Sequence, residues 1–217
     1  MKKTKKSKTG KTATAKKAVA KKAGSKKSAF KAANKAVNPV KKDTTVIDER
    51  VYPIGKYKLP EQFTEQVINK LILEIAVLPE HLRSIAKKIK KKKLQNRYRE
   101  GGWTVEQLIH HLADSHINAY VRFKLALTEN NPTVKPYDEN LWAEMADVQE
   151  CDIKDSLRII RGLHKRWACM LENMSKDDWK RTYYHPEHKR KVTLEDALSQ
   201  YAWHGKHHVA QIRVALK

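Results

Sequence analysis

Apolar residues recur at intervals of three and four along four stretches of the chain, a spacing that places them on one face of an α-helix. The first stretch begins at Pro60 or Glu61 and extends towards Ile89, and Pro79 within it predicts a kink or a restart of the helix. The other three stretches each follow a residue suited to capping a helix N-terminus: Thr104, Asp152 and Thr193.

Shorter segments connect these four helices. The pattern predicts a helical piece around Leu141 to Ala146 and a short capped turn at Ser175. The stretch from Arg181 to Val192 is the one with strand or loop character. Four long helices without strand periodicity predict an all-α fold, a four-helix bundle.

The last helix carries three histidines within five positions: His204, His207 and His208. At about 100° per residue, His204 and His208 lie along the apolar stripe of this helix, whereas His207 lies about 100° away from His208. Two imidazoles one turn apart and facing a core suit a transition metal. A pair of hydrogen-bonded core histidines is the alternative, and the pair alone does not decide between the two.

The second helix offers three more histidines. His116 falls within its apolar stripe, His111 lies at the edge of the stripe, and His110 points nearly to the opposite side. Periodicity therefore disfavours His110 as a partner for the last helix and does not choose between His111 and His116.

Composition divides the chain at about residue 45. The 217 residues carry a formal charge of +22, and 16 lysines but no acidic residue lie in residues 1–42. We predict a disordered basic tail over residues 1–45 and a folded domain over residues 46–217. The tail resembles those of linker histones and histone-like bacterial proteins, which predicts DNA binding that is sensitive to salt and indifferent to sequence. A solubilising extension without a dedicated partner is the alternative.

Other features of the sequence predict an intracellular, cytoplasmic protein. Cys151 and Cys169 are too few for a disulfide framework. No apolar run approaches the roughly 20 residues of a membrane span, and the charged N-terminus has no apolar segment behind it, as a secretory signal would. The basic run from Lys87 to Lys93 is typical of the solvated end of a helix.

Residues 102–116, Gly-Trp-Thr-Val-Glu-Gln-Leu-Ile-His-His-Leu-Ala-Asp-Ser-His, resemble the signature of the YfiT branch of the DinB superfamily. The resemblance covers residues 52–217 and is carried by further short motifs, at residues 122–129, 136–139, 184–187, 201–204 and 207–208. The basic tail has no counterpart in the family pattern.

This resemblance implies a homodimeric four-helix bundle that binds one divalent ion, zinc or nickel, through three histidines. Position by position, they correspond to His111, His204 and His208. Three nitrogen ligands leave positions open for water or substrate, as in catalytic sites. Further residues are candidates for the pocket wall or for contacts with the ligands, with ordinary structural roles as the alternative: His116, His185, His207, Asp114, Arg122 and Tyr184.

A three-histidine metal ion can lower the pKa of water to about 7, or bind a thiol as its thiolate. Relatives that the sequence resembles are described both as metal-dependent hydrolases and as bacillithiol S-transferases. We therefore predict a metal-dependent hydrolase or a low-molecular-weight thiol S-transferase acting on a small molecule, with activated water or thiolate as the nucleophile. Arg122 and Lys124 would meet an anionic thiol if they face the cleft. The alternative is a non-enzymatic nucleoid-associated protein that binds DNA through its tail.

Overall fold

The computed structural model describes residues 48–217, and the predicted tail of residues 1–45 lies outside them. The elements in chain order are α1 (Glu65–Ala86), a 3-10 helix (Lys91–Lys93), α2 (Val105–Thr128), α3 (Glu139–Ala143), α4 (Ala146–Glu150), α5 (Ile153–Glu172), α6 (Lys176–Lys180), β1 (Thr182–His185), β2 (Arg190–Thr193) and α7 (Leu194–Leu216). Each of α1 and α2 packs against both α5 and α7. The long helices therefore form a four-helix bundle, which confirms the predicted fold.

Side chains cap the helices at the predicted residues. Thr104 accepts a hydrogen bond from the backbone N–H of Gln107, and the Gln107 side chain accepts one from the backbone N–H of Thr104. Asp152 and Thr193 accept backbone N–H groups in the first turns of α5 and α7. These bonds satisfy N–H groups that have no partner within the helix, and so fix where each helix begins.

The first helix differs from its prediction in two ways. It begins at Glu65, because the Thr64 side chain caps it, and ends at Ala86 rather than near Ile89. It also continues through Pro79 as one helix, so the predicted restart at this residue is wrong. Proline cannot donate to the carbonyl four residues earlier, here that of Ile75. That carbonyl instead accepts a hydrogen bond from a side chain of another helix.

A layer of histidines divides the core of the bundle into two apolar clusters. One cluster lies around Phe123, Trp167 and Leu198, and the other around Leu82, Leu112 and Ile212. Between them, the helices α2, α5 and α7 each place a histidine in the interior, namely His116, His164 and His208. Helix α1 contributes backbone at this level and comes close to α7, since a Cβ on Gly205 would lie 2.6 Å from Cδ2 of Leu78.

The stretch from Arg181 to Val192 forms an antiparallel hairpin, β1–β2, in which Tyr183 pairs with Val192. The backbone N–H of Tyr184 donates to the carbonyl of Pro132, so the hairpin also pairs with the segment that follows α2. Two short helices, α3 and α4, replace the single predicted piece near residue 141. Within residues 48–217, no helix combines the length and apolar character that crossing a membrane requires.

Candidate metal centre

Three histidines from two helices converge at the middle of the bundle. His111 comes from the second turn of α2, and His204 and His208 lie one turn apart on α7. One ring nitrogen of each lies within 4.8 Å of the others. His111 and His208 are only 4% and 8% exposed, and the ring of Trp103 packs 4.5 Å from that of His111. The structure therefore brings together the three residues that the family resemblance implied.

The separations between the nitrogens suit a single small ion. Nε2 of His204 lies 3.3 Å from Nε2 of His111 and 3.0 Å from Nε2 of His208. A tetrahedral ion with bonds of about 2.0–2.1 Å holds its ligand nitrogens about 3.4 Å apart. The observed separations reach that value if the rings move apart by a few tenths of an ångström or less.

Hydrogen bonds behind His208 determine which of its nitrogens carries the proton. The side-chain amide of Gln211 donates to the backbone carbonyl of Val51, so its oxygen faces His208. That oxygen accepts from Nδ1–H of His208 at 2.8 Å. In a neutral imidazole only one nitrogen carries hydrogen, so Nε2 of His208 presents a lone pair to the centre.

A longer chain of hydrogen bonds does the same for His204. The carbonyl of Ile75 can only accept, so it receives the proton on Nδ1 of His164, at 2.6 Å. Nε2 of His164 then accepts from Nδ1 of His116 at 2.9 Å, and Nε2 of His116 accepts from Nδ1 of His204 at 3.2 Å. This order of donors leaves Nε2 of His204 without a proton.

Burial keeps these imidazoles uncharged. It lowers the pKa of His111, His204 and His208 well below the usual value of a histidine, and neighbouring imidazoles add to the effect. Two backbone carbonyls thus direct two neutral Nε2 lone pairs towards each other, with His111 beside them. Lone pairs at about 3 Å repel unless a cation lies between them, so the donor set fits a divalent metal ion.

Two other histidines near the centre point elsewhere. His110, which periodicity disfavoured, is buried on the side of α5 and shares a hydrogen bond with Ser156. His207 stacks on the ring of Trp203 at 4.5 Å and faces Tyr52, while burial lowers its pKa to about 4. Neither residue belongs to the cluster around the three Nε2 atoms.

The remaining candidates lie outside the group of three histidines, each in its own environment. Asp114 faces Asp147 rather than the histidines, and burial together with the Asp147 charge raises its pKa to about 6. Tyr184 is half-buried and pairs through its backbone with the segment after α2. Arg122 is buried and hydrogen-bonded to Tyr201, whereas Lys124 is exposed.

Sequence reasoning missed two residues of this site. His164 lies in register with the apolar residues of α5, so its burial was predictable, but nothing in one sequence says that it meets His116. Gln211 shares an edge of α7 with His207, and only the fold shows that it turns towards His208. Helical phase along α5 and along α7 was the one available signal, and it gives burial but not the partner.

Comparison with known proteins identifies the family of the chain. A protein-family model described as the DinB superfamily matches residues 74–212. The Bacillus subtilis (strain 168) protein named "Putative metal-dependent hydrolase YfiT" is 44% identical over 161 residues, which are 74% of this chain and 90% of that protein. A relative from Oceanobacillus iheyensis, "Putative metal-dependent hydrolase OB0782", is 48% identical over 161 residues, 74% of this chain and 92% of that protein.

A solved structure shows the same architecture. It is described as "YfiT from Bacillus subtilis is a probable metal-dependent hydrolase with an unusual four-helix bundle topology". The two structures superpose with a TM-score of 0.74 at 42% sequence identity, over 76% of this chain and 94% of that one. The chain therefore belongs to the DinB superfamily, and within it to the YfiT branch.

Proposed function

We propose that this protein is a metal-dependent enzyme, a hydrolase or a low-molecular-weight thiol S-transferase of the bacillithiol type. Its metal ligands are the Nε2 atoms of His111, His204 and His208, and the ion is zinc or nickel. The observation that carries the proposal is the convergence of these nitrogens, two of them held unprotonated by hydrogen bonds that end on backbone carbonyls. Two relatives carry names that begin "Putative metal-dependent hydrolase", which supports hydrolysis as the reaction.

Once bound, the ion supplies Lewis acidity that activates water or a thiol as a nucleophile. The protein's own residues prepare for it. Because the three imidazoles are neutral, no proton has to leave them before they act as ligands. Gln211 and His116 hold the rings of His208 and His204 in place, and Trp103 covers one side of His111.

Activity assays on the purified full-length protein separate the two reactions. A panel of bacillithiol, glutathione, cysteine and coenzyme A with an electrophile tests thiol transfer, and a panel of simple esters without thiol tests hydrolysis. We expect turnover in one panel and its loss in the His204→Ala/His208→Ala variant. The control is His81→Ala, which removes an exposed histidine of α1. Turnover that survives in the double variant would contradict the proposal.

We also propose that the protein is cytoplasmic and that its folded domain of residues 46–217 forms a homodimer, the assembly that the family resemblance implies. Sedimentation equilibrium of the full-length protein tests the dimer. A mass of twice 25.1 kDa is expected, and a single 25.1 kDa species at micromolar concentration would contradict it.

A further inference from the structure

Arg122 carries a buried charge without a counter-ion. The residue is 9% exposed. Among the described residues its side chain forms one hydrogen bond, from Nη1 to the hydroxyl of Tyr201 at 3.0 Å. No carboxylate of residues 48–217 forms a salt bridge with it. A guanidinium has five N–H donors and stays charged in proteins, so burying it without a negative partner is unfavourable.

Two carboxylates, Glu139 and Glu187, act on some of the groups around Arg122, but neither forms a salt bridge with it. The charge of Arg122 acts on the phenols of Tyr137, Tyr183 and Tyr201 and on the imidazole of His185. Burial raises the pKa of the three tyrosines, so they stay protonated at neutral pH. Burial and then the charge of Arg122 lower the pKa of His185 to about 4, so this imidazole is neutral as well.

A second polar group in the same place also lacks a partner. His185, at the end of β1, is 5% exposed, and its Nδ1 is buried without a hydrogen bond among the described residues. The strand β1 packs against α2, the helix that carries Arg122, and the charge of Arg122 acts on the His185 imidazole. Buried polar groups in folded proteins are nearly always paired, so the unpaired nitrogen of His185, near an arginine that has no counter-ion, indicates a missing ligand.

This position adjoins the three-histidine centre. Tyr201, the partner of Arg122, precedes His204 by three residues on α7, and its ring lies 6.0 Å from that of His204. One tyrosine side chain therefore separates the guanidinium from the proposed metal ligands.

We propose that Arg122 and His185 form an oxyanion-binding subsite, which holds a carboxylate or phosphate group of a substrate whose reacting atom lies at the three histidines. This inference rests on the proposed function, because it places the subsite beside the metal centre. The planar guanidinium can donate two parallel N–H bonds to one oxyanion, a geometry that neutral molecules do not match. The subsite therefore selects anionic over neutral substrates.

Binding of simple anions to the full-length protein tests the subsite. Succinate, inorganic phosphate and neutral succinamide are titrated by calorimetry, while the ¹⁵N-detected Arg Nε–H resonance of Arg122 is followed by NMR. We expect saturable binding of at least one anion, with a shift of that resonance, and no binding of succinamide. Succinate alone would assign a carboxylate, and phosphate alone would assign a phosphoryl group. Failure of both anions to bind would overturn the proposal.

Matched variants separate this role from a structural one. Arg122→Met, which keeps the volume and removes the charge, should weaken anion binding at least tenfold, and Arg122→Lys should recover part of it. Lys124→Met removes an exposed cation from the same helix and should leave the Arg122-linked binding unchanged. Arg122→Met should melt at or above the wild-type temperature, because it removes an uncompensated buried charge.

Two results count against the subsite. Equal anion affinity in Arg122→Met and wild type would overturn it. So would a markedly lower melting temperature of Arg122→Met together with no recovery of anion binding in Arg122→Lys, since that pattern indicates that loss of structure, and not loss of the charge, removes binding. Metal content, measured on the same samples, should not depend on Arg122. A wild-type protein that binds anions but no metal would refute the proposed function, whereas one that binds metal but no anion would refute only the subsite.

Discussion

At the scale of single residues, His164 lies two hydrogen bonds away from His204 and yet determines which ring nitrogen of His204 carries the proton. Replacing His164 by Leu removes the acceptor for Nδ1–H of His116. His116 is then free to carry its proton on Nε2, where it no longer accepts from His204. We expect metal affinity to fall about 10- to 100-fold, as in other sites that lose such contacts, in a competition titration with a chromophoric chelator.

Two variants act as controls for this prediction. His164→Gln retains one donor and one acceptor and should keep more of the affinity than His164→Leu. His110→Leu removes an equally buried histidine that pairs with Ser156 outside the cluster, so it should leave affinity unchanged. Equal affinity in wild type and His164→Leu would show that the chain does not direct the lone pair of His204.

The same burial predicts acid sensitivity of the metal-free protein. Burial lowers the pKa of His164 to about 4, from about 6.5 in an unfolded chain. Between these values the unfolded chain binds a proton that the folded chain does not, so the free energy of unfolding falls as the pH falls. Above about pH 6.5 the imidazole is neutral in both states, so it does not make the free energy of unfolding depend on pH.

Urea unfolding at pH 7.5, 6.5, 5.5 and 4.5 measures this effect. His164 alone should contribute on the order of 1 kcal/mol per pH unit below about pH 6, with other buried histidines adding to it. Asp114, whose pKa is raised to about 6, binds a proton more readily in the folded chain, so it stabilises the fold as the pH falls and offsets a part of the histidine effect. The slope should be smaller in His164→Leu. A stability that stays constant from pH 7.5 to 4.5 would contradict the burial of neutral histidines.

Helical phase allowed the orientation of single side chains to be predicted from the sequence. Phase placed His204 and His208 towards the core and His207 to one side, and the structure shows that arrangement. Phase could not choose between His111 and His116, because both face the interior and differ only in depth. It also gave no reason to expect a buried Arg122, because burial of a charged residue depends on what packs over it.

At the scale of elements, Pro79 links α1 to the metal centre. Its missing N–H leaves the Ile75 carbonyl available to His164. Pro79→Ala restores an N–H that competes for this carbonyl and removes a residue that is unfavourable within a helix by about 3 kcal/mol. We therefore expect the variant to melt at a higher temperature and to bind metal several-fold more weakly.

Thermal unfolding and chelator competition on the same preparation check both parts of this prediction. A Leu73→Ala variant, which changes an exposed position on α1, serves as the control and should not change metal affinity. Higher stability with unchanged metal affinity would mean that the carbonyl of Ile75 accepts both hydrogen bonds without cost to the site.

The starts of three helices could be predicted from the sequence, whereas the continuity of α1 through Pro79 could not. A cap is a local interaction between a side chain and a backbone N–H two or three residues later, so Thr104, Asp152 and Thr193 could be identified from neighbouring residues alone. The continuity of α1 through Pro79 depends on His164, 85 positions further along the chain, and on the packing of α5 against α1. No local rule contains that information.

At the scale of the whole molecule, the charge is concentrated in the tail. Residues 1–42 hold 16 lysines and no acidic residue. We propose that the tail binds DNA through phosphate contacts, so full-length protein should bind duplex DNA at low salt, with affinity falling steeply as salt is raised. A protein of residues 46–217 should bind far more weakly in the same gel-shift assay. Equal binding by both proteins at low salt would remove this role from the tail.

The central claim is that His111, His204 and His208 bind one divalent ion. Metal analysis of full-length protein, purified without chelator and without an affinity tag that binds metal, tests it most directly. We expect about one zinc or nickel ion per chain in the wild type and in His81→Ala, and almost none in His204→Ala/His208→Ala. The same metal content in the double variant as in the wild type, with both proteins folded, would contradict the account.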